Sequence, residues 1–130
     1  METKKTILIV DDDSFLLDMY ALKFNKSGFI VATALGSESA IEQLKSGLIP
    51  DIILLDIMMP VMDGFEFMEK MKEENLASSS IRIILSNRGQ ASDITRGEEL
   101  GASGYIVKAS STPSEVIEQV SAIVNKVKQN

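Results

Sequence analysis

Residues 52–64 read IILLDIMMPVMDG: four apolar residues in a row, one carboxylate at Asp56, then a Met-rich segment that turns at Asp63-Gly64. An unbroken apolar run bounded by turn residues is the pattern of a strand covered on both faces, as in a parallel sheet. An aspartate that ends such a strand is a cap, a ligand or a reactant. Asp63-Gly64 itself reads as a turn and helix entry, not as a ligand.

Four more apolar runs flank this one: TILIV (6–10), FIVAT (29–33), IRIIL (81–85) and GYIVK (104–108), with the central strand itself read as 51–55. Amphipathic segments separate them. Leu16, Met19, Tyr20 and Phe24 fall at helical spacing, as do Ala40, Ile41 and Leu44, then Gly64, Phe67, Met68 and Met71. Val116, Val120, Ile123, Val124 and Val127 mark the clearest helix. The pattern around 91–101 offers only Ile94 and Leu100, and Gly97 interrupts it at a cost of about 1 kcal/mol relative to alanine, so the segment 90–103 is expected to be the least stable helix. Strict alternation of strand and helix predicts five βα units in a doubly wound α/β domain with helices on both faces.

Composition narrows the chemistry. The chain has 130 residues, enough for one core, so a single domain over 1–130 is expected. It has no cysteine and no histidine, which removes disulfides, thiolate metal sites and imidazole acid–base chemistry. A net charge of −6 argues against nucleic acid as a direct partner. No apolar run reaches the ~20 residues of a membrane span, and the N-terminal run is too short for a signal peptide, so membrane insertion is not expected and a cytoplasmic location is.

The polar residues that follow the strands matter more. The first strand ends in Asp11-Asp12-Asp13, the third in Asp56, the fourth in Ser86-Asn87, and the fifth at Lys108. Parallel strands place their C-terminal ends along one edge, where open α/β sheets bind ligands. Each residue alone has an ordinary explanation. Asp13 suits a helix cap, Ser86 a loop cap, and Lys108 a solvated surface. Their coincidence along one edge does not. Clustered carboxylates call for a cation, and oxygen-only donors select a hard ion such as Mg²⁺. A carboxylate is also a competent nucleophile toward phosphorus, and phosphoryl transfer needs mainly positioning and charge neutralisation.

The segments ILIVDDD, LLDIMMPVMDG, IILSN and GASGYIVK, in this order and spacing, resemble the receiver domain of two-component response regulators, of the single-domain, chemotaxis-regulator kind. The likeness covers nearly the whole chain. It implies the flavodoxin-like strand order 2-1-3-4-5. It also implies that Asp56 accepts a phosphoryl group from a sensor histidine kinase or a histidine phosphotransfer protein. Asp11, Asp12, Asp56 and the Met58 backbone carbonyl would hold Mg²⁺, Lys108 would pair with the phosphoryl oxygens, and Ser86 would bond one of them. Tyr105 matches the aromatic that changes rotamer as Ser86 moves. The surface around residues 90–128 would be read by a downstream protein. Such a chain is a signalling phosphoacceptor, not an enzyme, although it assists its own phosphorylation and dephosphorylation.

Two positions depart from the family pattern. Asn87 stands where a small residue is usual, and crowding of the attacking water there is expected to lengthen the phosphorylated lifetime. Ala109 stands where proline follows the lysine. A cis bond costs ~0.5–1 kcal/mol before proline and ~2.5–4 kcal/mol before alanine, so Lys108-Ala109 is expected to be trans. A dehalogenase-like phosphatase would need an acid at position 58, which is Met. A flavodoxin-like carrier would need a phosphate loop where three aspartates stand. A receiver that only binds proteins is the remaining alternative, opposed by the intact site residues. The methionines read as core and loop packing. The chain ends soon after the fifth helix, as a stand-alone regulator, a phosphorelay shuttle or one domain of a longer protein.

Overall fold

The apolar runs become strands in the computed structural model, which describes residues 4–128. In chain order the elements are β1 Thr6–Asp11, α1 Ser14–Lys26, β2 Ile30–Leu35, α2 Ser37–Lys45, β3 Ile52–Leu55, α3 Gly64–Glu73, β4 Ile81–Ser86, α4 Ala91–Glu99, β5 Ala102–Val107 and α5 Pro113–Lys128. All strand pairs are parallel, in the order β2-β1-β3-β4-β5. The domain is therefore the doubly wound α/β sheet that the alternation predicted.

Side chains alternate across a strand, so a strand buried on both faces must be apolar at every position. Leu8, Val10, Ile53, Leu55 and Ile84 face one way, into a core closed by α2, α3 and the start of β5. Ile7, Ile9, Ile52, Leu54, Ile83 and Leu85 face the other, beneath α1 and α5. The rule fails at the edge. In β2 both Ile30 and Leu35 are more than half exposed, because no strand lies beyond them to support covering helices.

The helices follow their apolar faces, with corrections in α1, α4 and α5. The buried face of α1 is Leu17, Tyr20 and Phe24, while Leu16 and Met19 lie on its flank. In α4 only Asp93 and Gly97 are buried, as a thin apolar face requires. Gly97 is not merely a weak point, however. A Cβ there would lie 2.6 Å from Ile84 Cδ1, so glycine lets the helix sit directly on the sheet. On α5 the stripe Val116, Val120 and Val124 is buried, and Val127 emerges into solvent. Of the methionines, 59, 68 and 71 are buried and Met62 packs against the same core, but Met58 is 55% exposed.

Candidate functional site

Register brings the site together. Val10 pairs with Leu55, so the next residues, Asp11 and Asp56, emerge side by side from the two central strands. Ser86 pairs with Val107, which sets Lys108 one residue beyond, in a 3₁₀ turn spanning Lys108–Ser110 rather than in the strand. No cis peptide bond occurs among the described residues, so the Lys108-Ala109 bond is trans as expected.

Lys108 is no solvated surface lysine. Its side chain is 8% exposed, and Nζ donates to Asp11 Oδ2 at 2.7 Å and Asp56 Oδ2 at 2.9 Å. Both acceptors are buried. Asp56 Oδ1 accepts the Met58 N–H at 3.2 Å, and Asp11 Oδ1 accepts the Asp13 N–H at 3.0 Å. Asp12 stands at the exposed lip of the cluster. Asp13 takes the ordinary role offered to it: its carboxylate caps α1 by accepting from the Leu16 N–H.

Burial raises the Asp11 carboxyl above its usual range, and the Lys108 ammonium opposes this without overcoming it. For Lys108, burial acts to lower the ammonium, but the bonds to Asp11 and Asp56 outweigh it and the group is held above its ordinary value. One carboxyl oxygen each from Asp11, Asp12 and Asp56 lie within 4.8 Å of one another. One ammonium against three carboxylates leaves a deficit of two positive charges, which suits a divalent cation. Oxygen-only donors suit a hard one.

The segment after Asp56 is shaped by α3. Asp63 forms a capping box with Glu66, accepting its N–H at 2.9 Å while Glu66 accepts the Asp63 N–H at 3.1 Å. Gly64 is obligatory: a Cβ there would overlap the Asp56 carbonyl oxygen and lie 2.8 Å from Ile57 Cα. The start of α3 is thereby packed directly against the backbone that carries the carboxylate.

Ser86 is fully buried, and its Oγ accepts the Arg88 N–H at 3.3 Å. The loop-cap role is thus present, and the hydroxyl also interacts with the Tyr105 phenol. Tyr105 is half-buried and is more than an edge-strand aromatic, because its hydroxyl donates to the Arg88 carbonyl. Burial, then the Asp93 carboxylate, push the Tyr105 phenol up. Asn87 and Ala109 are exposed at the rim. The sequence reading missed Arg88 and Asp93, which face each other at 2.7 Å.

Comparison with known proteins fits this geometry. The sequence pattern of the family described as response regulator receiver domain matches residues 7–121. The chain is 32% identical over 123 residues to the phosphate regulon transcriptional regulatory protein PhoB of Escherichia coli, covering 95% of this chain and 53% of that protein. It is 33% identical over 122 residues to the alkaline phosphatase synthesis transcriptional regulatory protein PhoP of Bacillus subtilis, covering 94% and 49%. The chain thus spans about half the length of these relatives. The chemotaxis response regulator CheY4 of Vibrio cholerae superposes with a TM-score of 0.83 at 25% identity, covering 93% of this chain and 99% of that one. A receiver domain protein of Methanospirillum hungatei shares the fold, with a TM-score of 0.85 at 24% identity over 98% of both chains.

Proposed function

This chain belongs to the response regulator receiver domain family, and from that premise we propose that Asp56 takes a phosphoryl group from the phosphohistidine of a sensor kinase or histidine phosphotransfer protein. The observation that carries this reading is Lys108 Nζ bridging Asp11 and Asp56 in a buried pocket at the strand ends. The ammonium fixes the orientation of the Asp56 carboxylate, a group that can act as a nucleophile toward phosphorus. One of its oxygens attacks phosphorus while the P–N bond to the imidazole breaks. The bonding electrons return to the ring nitrogen, and the product is an aspartyl-phosphate.

Asp11, Asp12, Asp56 and the Met58 carbonyl are the residues that would hold Mg²⁺. When bound, the ion supplies charge neutralisation for the phosphoryl oxygens. Lys108 stays within reach of those oxygens, and the Ser86 hydroxyl turns to donate to one of them. Ser86 and Tyr105 then pass the change to the surface around residues 90–128, where a downstream protein reads it. The chain acts as one domain over 1–130 in the cytoplasm, a phosphoacceptor rather than an enzyme acting on other molecules. Among the described residues no helix is long and apolar enough to cross a membrane.

Incubation with phosphoramidate followed by intact-mass measurement tests the reading. One phosphoryl addition that requires Mg²⁺ is expected, and no addition would leave a protein-binding receiver as the better account. Asn87 is proposed to slow loss of the group by crowding water. The Asn87→Ala variant should therefore decay faster than the wild type, and slower decay would show that the amide instead orients the water.

A further inference from the structure

The loop between β4 and α4 is held by three hydrogen bonds, all of them to Arg88. The Arg88 N–H donates to Ser86 Oγ at 3.3 Å, and the Arg88 carbonyl accepts from the Tyr105 hydroxyl. The guanidinium, 47% exposed, donates to Asp93 Oδ1 at 2.7 Å, a carboxylate only 7% exposed. Beside it, a Cβ on Gly89 would lie 2.8 Å from Val107 Cγ2, so the loop runs directly against β5.

Asp93 sits in the first turn of α4, whose cap residue Gln90 makes no side-chain bond to the helix. Its charge suits the positive end of the helix, and a charge-assisted bond to a guanidinium is among the stronger pairings available there. The two bonds from the loop to Ser86 and Tyr105 are made by the backbone of Arg88. Its side chain therefore affects them only by fixing where that backbone lies.

We propose that the Arg88–Asp93 ion pair is a latch: it holds the 87–90 loop where Ser86 Oγ accepts the Arg88 N–H and Tyr105 stays tucked under the Arg88 carbonyl. The latch makes Tyr105 report the state of the loop, and it rests on the reading of Asp56 as phosphoacceptor only for its signalling role. Arg88 and Asp93 are positioning residues that act through Ser86 and Tyr105.

The chain has two tyrosines and no tryptophan, so fluorotyrosine labelling gives two ¹⁹F resonances, with Tyr20, on the buried face of α1, as internal reference. In the unmodified protein, Arg88→Ala and Asp93→Ala should each move the Tyr105 resonance toward its unfolded position. The ratio of tucked to released ring should fall roughly fivefold, as for loss of one partly exposed charged pair. The double variant should go no further than either single one, and Arg88→Lys should recover most of the loss. Arg88 is exposed, so its variants keep the test open even where Asp93→Ala fails to fold. An unmoved Tyr105 resonance in the Arg88→Ala variant, or effects that add in the double variant, would overturn the latch. Phosphoramidate labelling of the same samples separates the two readings. An unlabelled wild type refutes the phosphoacceptor reading, whereas a labelled wild type whose Tyr105 ignores Arg88 refutes the latch.

Discussion

Replacing Lys108 by methionine keeps an unbranched stem of similar length and removes the ammonium that lies 2.7 Å from Asp11 and 2.9 Å from Asp56. Both carboxylates are less than 10% exposed, so water cannot take over the lost partner without opening the site. Deleting one member of a buried ion pair costs about 3–5 kcal/mol, mostly because a charge is left uncompensated. Here the lower end applies, because burial holds the Asp11 carboxyl above its ordinary value and so lessens the cost of protonating it. The Lys108→Met protein should therefore lose about 3 kcal/mol in metal-free buffer at neutral pH, or roughly 12 °C in Tm for a domain of this size. Urea and thermal unfolding in the presence of a chelator measure this. The pH dependence gives a second reading with a definite sign. Asp11 has a folded pKa above its ordinary value of 3.8, so between the two the native state binds more protons than the unfolded one. Stability contributed by that group therefore rises as pH falls from neutral toward 3.8, and the Lys108→Met deficit should shrink over that interval. In the wild type, Lys108 is raised above 10.5, so its contribution is complete at neutral pH and is lost only as pH climbs through its folded value. A variant as stable as the wild type at pH 7 without metal would refute the claim that Lys108 neutralises this pair.

Two further perturbations test the cluster and its scaffold. Mg²⁺ should stabilise the fold by mass action, by about 2.7 kcal/mol at a hundred times its dissociation constant, and so raise Tm, and Asp12→Ala should remove most of that response; a melting point indifferent to millimolar Mg²⁺ would count against the metal assignment. Gly97→Ala should destabilise by about 1–3 kcal/mol through overlap with Ile84, reversing the gain that helix propensity alone predicts; a more stable variant would show that α4 can lift off the sheet freely.

Much of this site is legible from sequence because parallel topology leaves little choice. Asp11, Asp56, Ser86 and Lys108 each follow a buried apolar run, and a parallel sheet must bring the ends of those runs to one edge. What was hidden has physical reasons too. In α1 the apolar residues Phe15, Leu16, Leu17, Met19, Tyr20, Leu22 and Phe24 surround most of the helix, so periodicity could not choose Leu17 over Leu16 as the buried position. Gly97 reads as a helix defect until Ile84 is seen beneath it. The Arg88–Asp93 pair spans a loop and a helix start, where no periodic pattern applies. A buried aspartate in a polar helix carries no mark in the sequence.

The central claim is that Asp56, and no other carboxylate, carries the phosphoryl group. Borohydride reduction of the labelled protein converts an aspartyl-phosphate to homoserine, which peptide mapping by mass spectrometry locates. Homoserine at position 56 alone is the expected result, and its absence when Asp56 is replaced by asparagine should follow. Homoserine at Asp11, Asp12 or Asp13 instead, or wild-type levels of label in the Asp56→Asn variant, would contradict the account.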